Sequence, residues 1–334
     1  MGNKVWRVGL VPSRLSYTVA SDTDLLSAAG NVGIAVPSAC KNGVCELCEA
    51  RLLSGSALNT RNQQIITPGA RLMMCRANAR GDIELEITAV MAAGNNQPKK
   101  FQANVVDVCS ISHDVYRVEL QLPRRRKLSF HAGQYLSVNL PDAEPCYFSI
   151  ASSPTEQNIE LHIQASPEWQ SAQKVIDTLT SGEPVTLDLP HGKACLACAP
   201  EKPLLLVAAG TGFAQMKSLV DYLRGTSFAQ PVKLFWGVRR HEDMYLRTMA
   251  QQWAQDWSVL TFTPVVGDDE DSDWSGHHDQ LVRTVLASGM DWNNVEVHAS
   301  GSPTMVYTLM DALIEAGLPP EGFFSDVLEY APRH

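Results

Sequence analysis

Four cysteines carry the chemistry that stands out first. Cys40, Cys45 and Cys48 lie within nine residues, spaced C-x4-C-x2-C, and Cys75 follows alone in Met73-Met74-Cys75-Arg76. Two irons bridged by two sulfides need four thiolates at fixed corners, and this is the plant-type spacing that supplies them to a [2Fe-2S] cluster. A short loop presents three ligands only if its backbone wraps the cluster and turns N–H groups toward the sulfurs. Gly43 suits such a loop, because a residue without Cβ accepts positive φ and close approach. The alternatives are a structural zinc site or a set of buried thiols. Zinc motifs usually pair one C-x2-C with another, whereas here the fourth cysteine stands alone.

A second pattern points to a phosphate. Leu204-Leu205-Leu206-Val207-Ala208-Ala209 is an apolar run of buried-strand length, followed by Gly210-Thr211-Gly212-Phe213-Ala214 and a helical stretch to about Leu223. Strand, glycine turn and helix in that order put backbone N–H groups and a helix N-terminus where a pyrophosphate can sit. A lone Gly-x-Gly is weak evidence, but its surroundings strengthen it. Further strands are expected over 232–236, 259–266 and 295–299 with helical stretches between them, as in a doubly wound parallel sheet.

The elements that must position these groups fall into three blocks. Residues 5–8 and 15–19 alternate well enough for a hairpin joined through Pro12 and Ser13. Asp22 or Thr23 can cap a helix with Leu25, Leu26 and Ala29 on one face. Ile83-Glu84-Leu85-Glu86-Ile87 alternates strictly and is expected to close the sheet. The polar, breaker-rich segment 91–100 reads as a linker. From 101 to 199, strands over 103–108, 115–122, 135–140, 148–151, 159–163 and 185–189 suit a small antiparallel barrel, interrupted by one helix near 171–179. The expected division is therefore 1–90, linker 91–100, 101–199 and 200–334.

Composition bounds the reading. A chain of 334 residues with 45% hydrophobic and 19% charged residues is ordinary for two or three globular domains. There is no run of some 18 apolar residues and no charged-then-apolar amino terminus, so neither a membrane span nor a secretory signal is expected. Met1-Gly2-Asn3-Lys4-Val5-Trp6 lacks the hydroxyl residue of a myristoylation signal. Four of the eight cysteines are assigned to a cluster, which argues against a disulfide framework and for a reducing cytoplasm. Residues 1–90 hold nine Lys and Arg against seven Asp and Glu, and the rest 18 against 29, for a net charge of −9. That balance argues against nucleic-acid binding.

Several further segments carry a resemblance. They are Cys146-Tyr147-Phe148-Ser149-Ile150-Ala151-Ser152, His131-Ala132-Gly133-Gln134-Tyr135, Pro190-His191-Gly192, Ser300-Gly301-Ser302-Pro303 and Phe323-Phe324-Ser325-Asp326. With the cysteines, they make residues 1–90 similar to a plant-type ferredoxin domain of β-grasp layout. The remainder resembles the flavin and nicotinamide module of the ferredoxin-NADP reductase superfamily. Within it the likeness is to bacterial NAD(P)H:flavin reductases and to CDP-6-deoxy-glucoseen reductase, which shares the fused N-terminal ferredoxin.

The resemblance implies roles. Cys146 to Ser149 matches an Arg-x-Tyr-Ser motif, in which the aromatic ring lies against the isoalloxazine, the serine reaches flavin N5 and the arginine pairs with flavin phosphate. Phe148, Ser149 and Ile150 would then hold flavin. Gly210, Thr211, Gly212, Phe213, Arg239, Gly301 and Pro303 would hold the nicotinamide coenzyme, and Ser149, Thr211 and Ser300 would be the polar groups at the reacting atoms. The chain departs from the pattern in four places. Cys146 replaces the arginine, removing a charge-assisted contact of roughly 1.5 to 3 kcal/mol, so an exchangeable flavin is expected. Ser300 replaces a cysteine, Gln215 stands where proline is common, and Glu46 follows the second cluster cysteine, where a carboxylate aimed at the cluster would lower its potential.

The expected activity is an electron wire. A nicotinamide gives up two electrons together as hydride, a [2Fe-2S] cluster takes one at a time, and flavin divides the pair. The cofactors implied are the [2Fe-2S] cluster, FAD (with FMN or an exchangeable flavin as alternatives) and NADH or NADPH. The implied acceptor is a partner protein, such as an oxygenase component. The alternatives are a reductase that releases reduced flavin and a redox-sensing or scaffold protein with a degenerate flavin site. Other features weigh less. Cys195-Leu196-Ala197-Cys198 is a C-x2-C without a partner pair. Arg124-Arg125-Arg126-Lys127 reads as a solvated barrel turn, Arg239 and Arg240 permit NADPH without excluding NADH, and Asp279, after His277 and His278, reads as a helix cap.

Overall fold

The computed structural model describes residues 4–34, 36, 38, 42–44, 46–87, 90, 98–123, 130–141, 143–197, 199–226, 228–267 and 278–333. Met1–Asn96 and Gln97–His334 form two compact units.

In the first unit a five-stranded mixed sheet runs in the order Leu15–Ala20, Val5–Val11, Ile83–Glu86, Glu49–Ser54, Arg71–Met73. The hairpin Val5–Val11 and Leu15–Ala20 forms because Val8, Leu10, Tyr17 and Val19 alternate inward. The strictly alternating strand Ile83–Glu86 lies mid-sheet, parallel to Val5–Val11 and antiparallel to Glu49–Ser54. Ile83 and Leu85 turn inward against Leu25 and Ala29 of the helix Leu25–Asn31. That helix is capped by Asp24, whose carboxylate accepts the Ser27 N–H at 2.8 Å, and not by Asp22 or Thr23. The first orphan donors of a helix are reached only from the residue directly before it.

The second unit begins with a strand at Lys99, inside the segment read as linker. Six antiparallel strands follow the order Cys146–Ser149, Tyr135–Asn139, Val185–His191, Lys99–Ser110, Val115–Gln121, Ile159–Gln164. An antiparallel bridge from Ile150 to Leu161 joins the two ends, so the sheet closes into a barrel with Leu136, Val138, Ile150, Leu161 and Leu187 inside. The helix Gln170–Thr180 packs Val175, Ile176 and Leu179 against the same core.

The remaining residues form a parallel sheet in the order Leu260–Val266, Val232–Val238, Leu204–Ala209, Glu296–Ser300, Phe323–Phe324. Leu204–Ala209 is buried on both faces, which is why it reads as a continuous apolar run. Helices Phe213–Arg224 and Arg247–Asp256 cover one face through Leu206, Leu234 and Trp236. Helices Asp279–Leu286 and Pro303–Glu315 cover the other through Leu205, Val207 and Val297. Asp279 is the first residue of its helix and makes no capping bond; the cap position belongs to His278, at φ +54°. His277 lies outside the described residues. Among the described residues no helix is long and apolar enough to cross a membrane.

Candidate functional site

In the first unit the Cys48 and Cys75 sulfurs lie 3.4 Å apart and both residues are buried. Strand pairing produces this meeting: Glu49 pairs with Met73, and the Met74 N–H donates to the Cys48 carbonyl at 3.0 Å. The separation exceeds that of a disulfide, about 2.0 Å. It is near the roughly 3.8 Å between two thiolates on one tetrahedral metal with bonds of about 2.3 Å. Gly43 sits at φ +82°, and a Cβ there would press on Arg76 Cγ at 3.0 Å. Glu46 also takes positive φ, +58°, so the loop turns tightly on either side of the second ligand position. Cys40 and Cys45 lie outside the described residues. The two ligands present suit one iron of a cluster.

In the second unit a cleft of about 1470 Å³ lies between the barrel and the carboxyl ends of the parallel strands. It brings Phe148 and Ser149 on the barrel side together with Gly210, Thr211, Gly212, Arg239, Ser300, Gly301 and Pro303 on the sheet side. Ile150 and Phe213 are not brought in. Ile150 is fully buried in the barrel core, with its N–H given to Gln134. Phe213 is fully buried against Trp236, ring centroids 3.8 Å apart.

The sheet side is shaped by backbone. Gly210 takes φ +53° at the strand end, and a Cβ there would meet nothing within 4 Å, so this turn leaves open space. Its carbonyl is held by the Trp236 indole N–H at 3.0 Å. Gly212 packs so closely on the Ser300 carbonyl that any Cβ would overlap it. Ser302 caps the helix Pro303–Glu315 by accepting the Met305 N–H at 3.3 Å, with Pro303 at the first helical position. Two helix N-termini thus border one space, an arrangement that favours the phosphates of a dinucleotide.

The barrel side is aromatic. Strand pairing sets Tyr135 opposite Ser149, and Leu136 opposite Phe148. Phe148 and Cys146 therefore lean toward the barrel core, while Tyr147 is 60% exposed. Tyr135 stacks on His191 at 5.4 Å, and Tyr147 stands edge-on to both at 5.9 and 6.0 Å. The Tyr135 hydroxyl is pushed up to about 12, first by burial and then by Glu329 and Asp326. His191 Nε2 is buried without a partner, an orphaned polar atom beside flat apolar walls, which suits a hydrogen-bonding ring system such as flavin. The sequence reading missed Tyr135, Tyr147 and His191 as site residues, although all three lay in segments it had marked.

Cys146 does not line the cleft, and burial pushes its thiol up. Arg124 to Lys127 and Cys198 lie outside the described residues. Burial, aided by Asp326, pushes Cys195 up to about 12, so this thiol is inert at neutral pH. Arg240 lies 3.5 Å from Glu242, and its N–H bonds Asp243 at 2.9 Å.

Gln215 and Asp326 were also missed as a pair. Gln215 is 1% exposed and its Nε2 lies 2.8 Å from the Gly133 carbonyl, 3.1 Å from that of Ala194 and 3.0 Å from Asp326 Oδ2. Burial pushes the Asp326 carboxyl up to about 7, against the Ala194 N–H, while Glu329 adds to the rise and the Gln215 amide opposes it.

Comparison with known proteins matches three segments of the chain. Residues 10–80 match the 2Fe-2S iron-sulfur cluster binding domain, 102–195 the oxidoreductase FAD-binding domain and 206–310 the oxidoreductase NAD-binding domain. The chain is 28% identical to the terephthalate 1,2-dioxygenase reductase component 1 of a Comamonas species, over 96% of both chains. It is 32% identical to the NAD(P)H-flavin reductase of Aliivibrio fischeri over 52% of this chain and 75% of that one. Among solved structures, the ferredoxin reductase in carbazole 1,9a-dioxygenase matches with a TM-score of 0.59 and 23% identity, covering 98% of this chain and 99% of that one.

Proposed function

The chain belongs to the ferredoxin-NADP reductase superfamily as a reductase with a fused plant-type [2Fe-2S] domain, and from that premise we propose that it passes electrons from NAD(P)H to a partner protein such as an oxygenase component. It is an NAD(P)H-dependent oxidoreductase. The observation that carries the proposal is the single cleft in which Ser149 on the barrel wall faces the turns at Gly210–Gly212 and Ser300–Pro303.

FAD, when bound, supplies the step between a two-electron donor and a one-electron cluster. The protein's part is positional. The helix starts at Phe213 and Pro303 hold the coenzyme phosphates, Thr211 and Ser300 flank its nicotinamide, and Tyr135, Tyr147, Phe148 and His191 shape the flavin wall. Cys48 and Cys75, with Cys40 and Cys45, hold the cluster from which single electrons leave. Arg239, which lines the cleft, permits NADPH without excluding NADH. Cluster thiolates of this kind persist in a reducing compartment such as the cytoplasm.

A second reading rests on Cys146. With no cation at this strand position, flavin is held less tightly, and reduced flavin itself becomes the product. One experiment separates the two: anaerobic reduction of the purified protein by NADH and by NADPH, followed by visible absorbance and low-temperature EPR, with and without added FAD. A rhombic [2Fe-2S] signal without added flavin supports the wire. Reduction that depends on added flavin supports release, and no reduction under either condition overturns both.

A further inference from the structure

The barrel strand Ile159–Gln164 turns Leu161 and Ile163 into the core and sets Glu160, His162 and Gln164 along its outer face. The His162 side chain is 0% exposed, yet the residue lines the wall of the cleft. Its Nε2 lies 2.7 Å from Glu160 Oε1 and its Nδ1 3.1 Å from the hydroxyl of Tyr245, which also lines the cleft. The bridge from Ile150 to Leu161 places Ser149 across from His162, one step along the antiparallel ladder and on the same face.

The protonation of this group follows from its neighbours. The groups facing His162 are Glu160 on its own strand, Tyr245 after the strand Val232–Val238, Lys217 on the helix Phe213–Arg224 and Arg117 on the strand Val115–Gln121. Burial holds His162 below the usual histidine range although Glu160 opposes it. Burial raises Glu160, but the bond from His162 and the charge of Lys217, 3.5 Å away, outweigh it and leave the carboxylate ionised. An ionised carboxylate only accepts, so Nε2 carries the ring hydrogen and donates to it. Nδ1 is therefore an open base, to which the Tyr245 hydroxyl donates.

We propose that His162, backed by Glu160, is the proton acceptor of the electron-transfer reaction. The inference rests on the wire reading above. Each NAD(P)H that becomes NAD(P)+ delivers two electrons and one proton; the electrons leave singly through the cluster to a one-electron acceptor, and the proton is left beside Ser149. The Tyr245 hydroxyl passes its hydrogen to Nδ1 and takes the proton from the cleft. The resulting imidazolium is paired with the Glu160 carboxylate. When the oxidised coenzyme leaves, the same path returns the proton to water in the cleft, and the ring regains its starting tautomer. Balance is one proton and two electrons per coenzyme.

The test uses the full chain carrying FAD and cluster, mixed anaerobically with NADH in a stopped flow with cytochrome c as one-electron acceptor. Bleaching of the flavin band reports the hydride step, and cytochrome c reduction reports the departure of electrons. His162→Gln is expected to bleach at a rate within about twofold of the unaltered chain and to deliver electrons about a hundredfold more slowly, the size of a lost acid–base group. Tyr245→Phe, which keeps the ring, is expected to slow the same phase. In His162→Gln added imidazole restores the rate, which a merely structural defect would not allow. A separate readout needs no turnover: a downfield ring N–H resonance of His162, present in the unaltered chain and lost in Glu160→Gln. Absence of bleaching in the unaltered chain overturns the wire and the proton acceptor with it. Normal bleaching with unslowed cytochrome c reduction in His162→Gln overturns the proton acceptor alone.

Discussion

The side-chain amide of Gln215 donates to Asp326 Oδ2 at 3.0 Å across 111 positions of sequence. The same nitrogen serves the carbonyls of Gly133 and Ala194. One buried amide thus ties the helix behind the glycine turn to two barrel loops and to the carboxyl-terminal segment.

Replacing Gln215 by leucine keeps the bulk and removes the donor. The two amide hydrogens shared among the Gly133 and Ala194 carbonyls and Asp326 Oδ2 are lost, at about 1–3 kcal/mol for each group left unsatisfied. The variant is expected to unfold several degrees earlier in differential scanning calorimetry, with the transition of the FAD- and NAD-binding unit moving and that of the cluster unit unchanged. Equal shifts of both transitions would contradict this.

Asp326 makes stability depend on pH. Burial pushes its carboxyl up to about 7 in the folded chain, against about 3.9 for an aspartate in water, so between these values the folded chain holds a proton that the unfolded chain has lost. Its contribution is complete below the unfolded value and disappears as pH rises through about 7. Asp326→Asn has no such loss. Between pH 5.5 and 8.5 the variant is expected to gain about 2 kcal/mol relative to the unaltered chain, by urea unfolding at each pH. A constant difference would show that the carboxylate is already charged at pH 5.5.

The two glycines of the phosphate turn are expected to fail differently. Alanine at Gly212 overlaps the Ser300 carbonyl, so the glycine turn and the end of the strand Glu296–Ser300 must separate and the protein loses stability. Alanine at Gly210 enters open space at φ +53°, adding about 1 kcal/mol of backbone strain and a methyl where the coenzyme lies. Gly210→Ala should fold and show a raised KM for NADH. Gly212→Ala should show a lowered melting temperature first.

Cys75→Ser removes one of two sulfurs that sit 3.4 Å apart. The variant is expected to lose the [2Fe-2S] EPR signal and cytochrome c reduction, while NADH still bleaches bound flavin. Loss of bleaching as well would mean that the cluster unit is needed for the cleft to work.

Much of this was legible in local sequence. The cysteine spacing, the apolar run at 204–209 with its glycine turn, and the alternation at 83–87 are short-range patterns, and the chain chemistry that produces them acts over a few residues. Ser149, the Gly210–Gly212 turn and the Ser300–Pro303 turn line one cleft. Boundaries and side-chain directions were less accessible. The cap moved to Asp24, the barrel began at Lys99, and Phe213 and Ile150 turned into cores, because helix phase and strand register decide which way a residue in a motif points.

What the sequence by itself determined is the kind of cofactor each block can hold, since ligand spacing and a glycine turn are properties of neighbouring residues. What only the tertiary structure decided is the company those cofactors would keep. Tyr135 meets His191, Gln215 meets Asp326 and His162 meets Tyr245. The residues of each pair lie far apart in the chain, and they touch because barrel closure and sheet packing bring them together, which no spacing rule encodes.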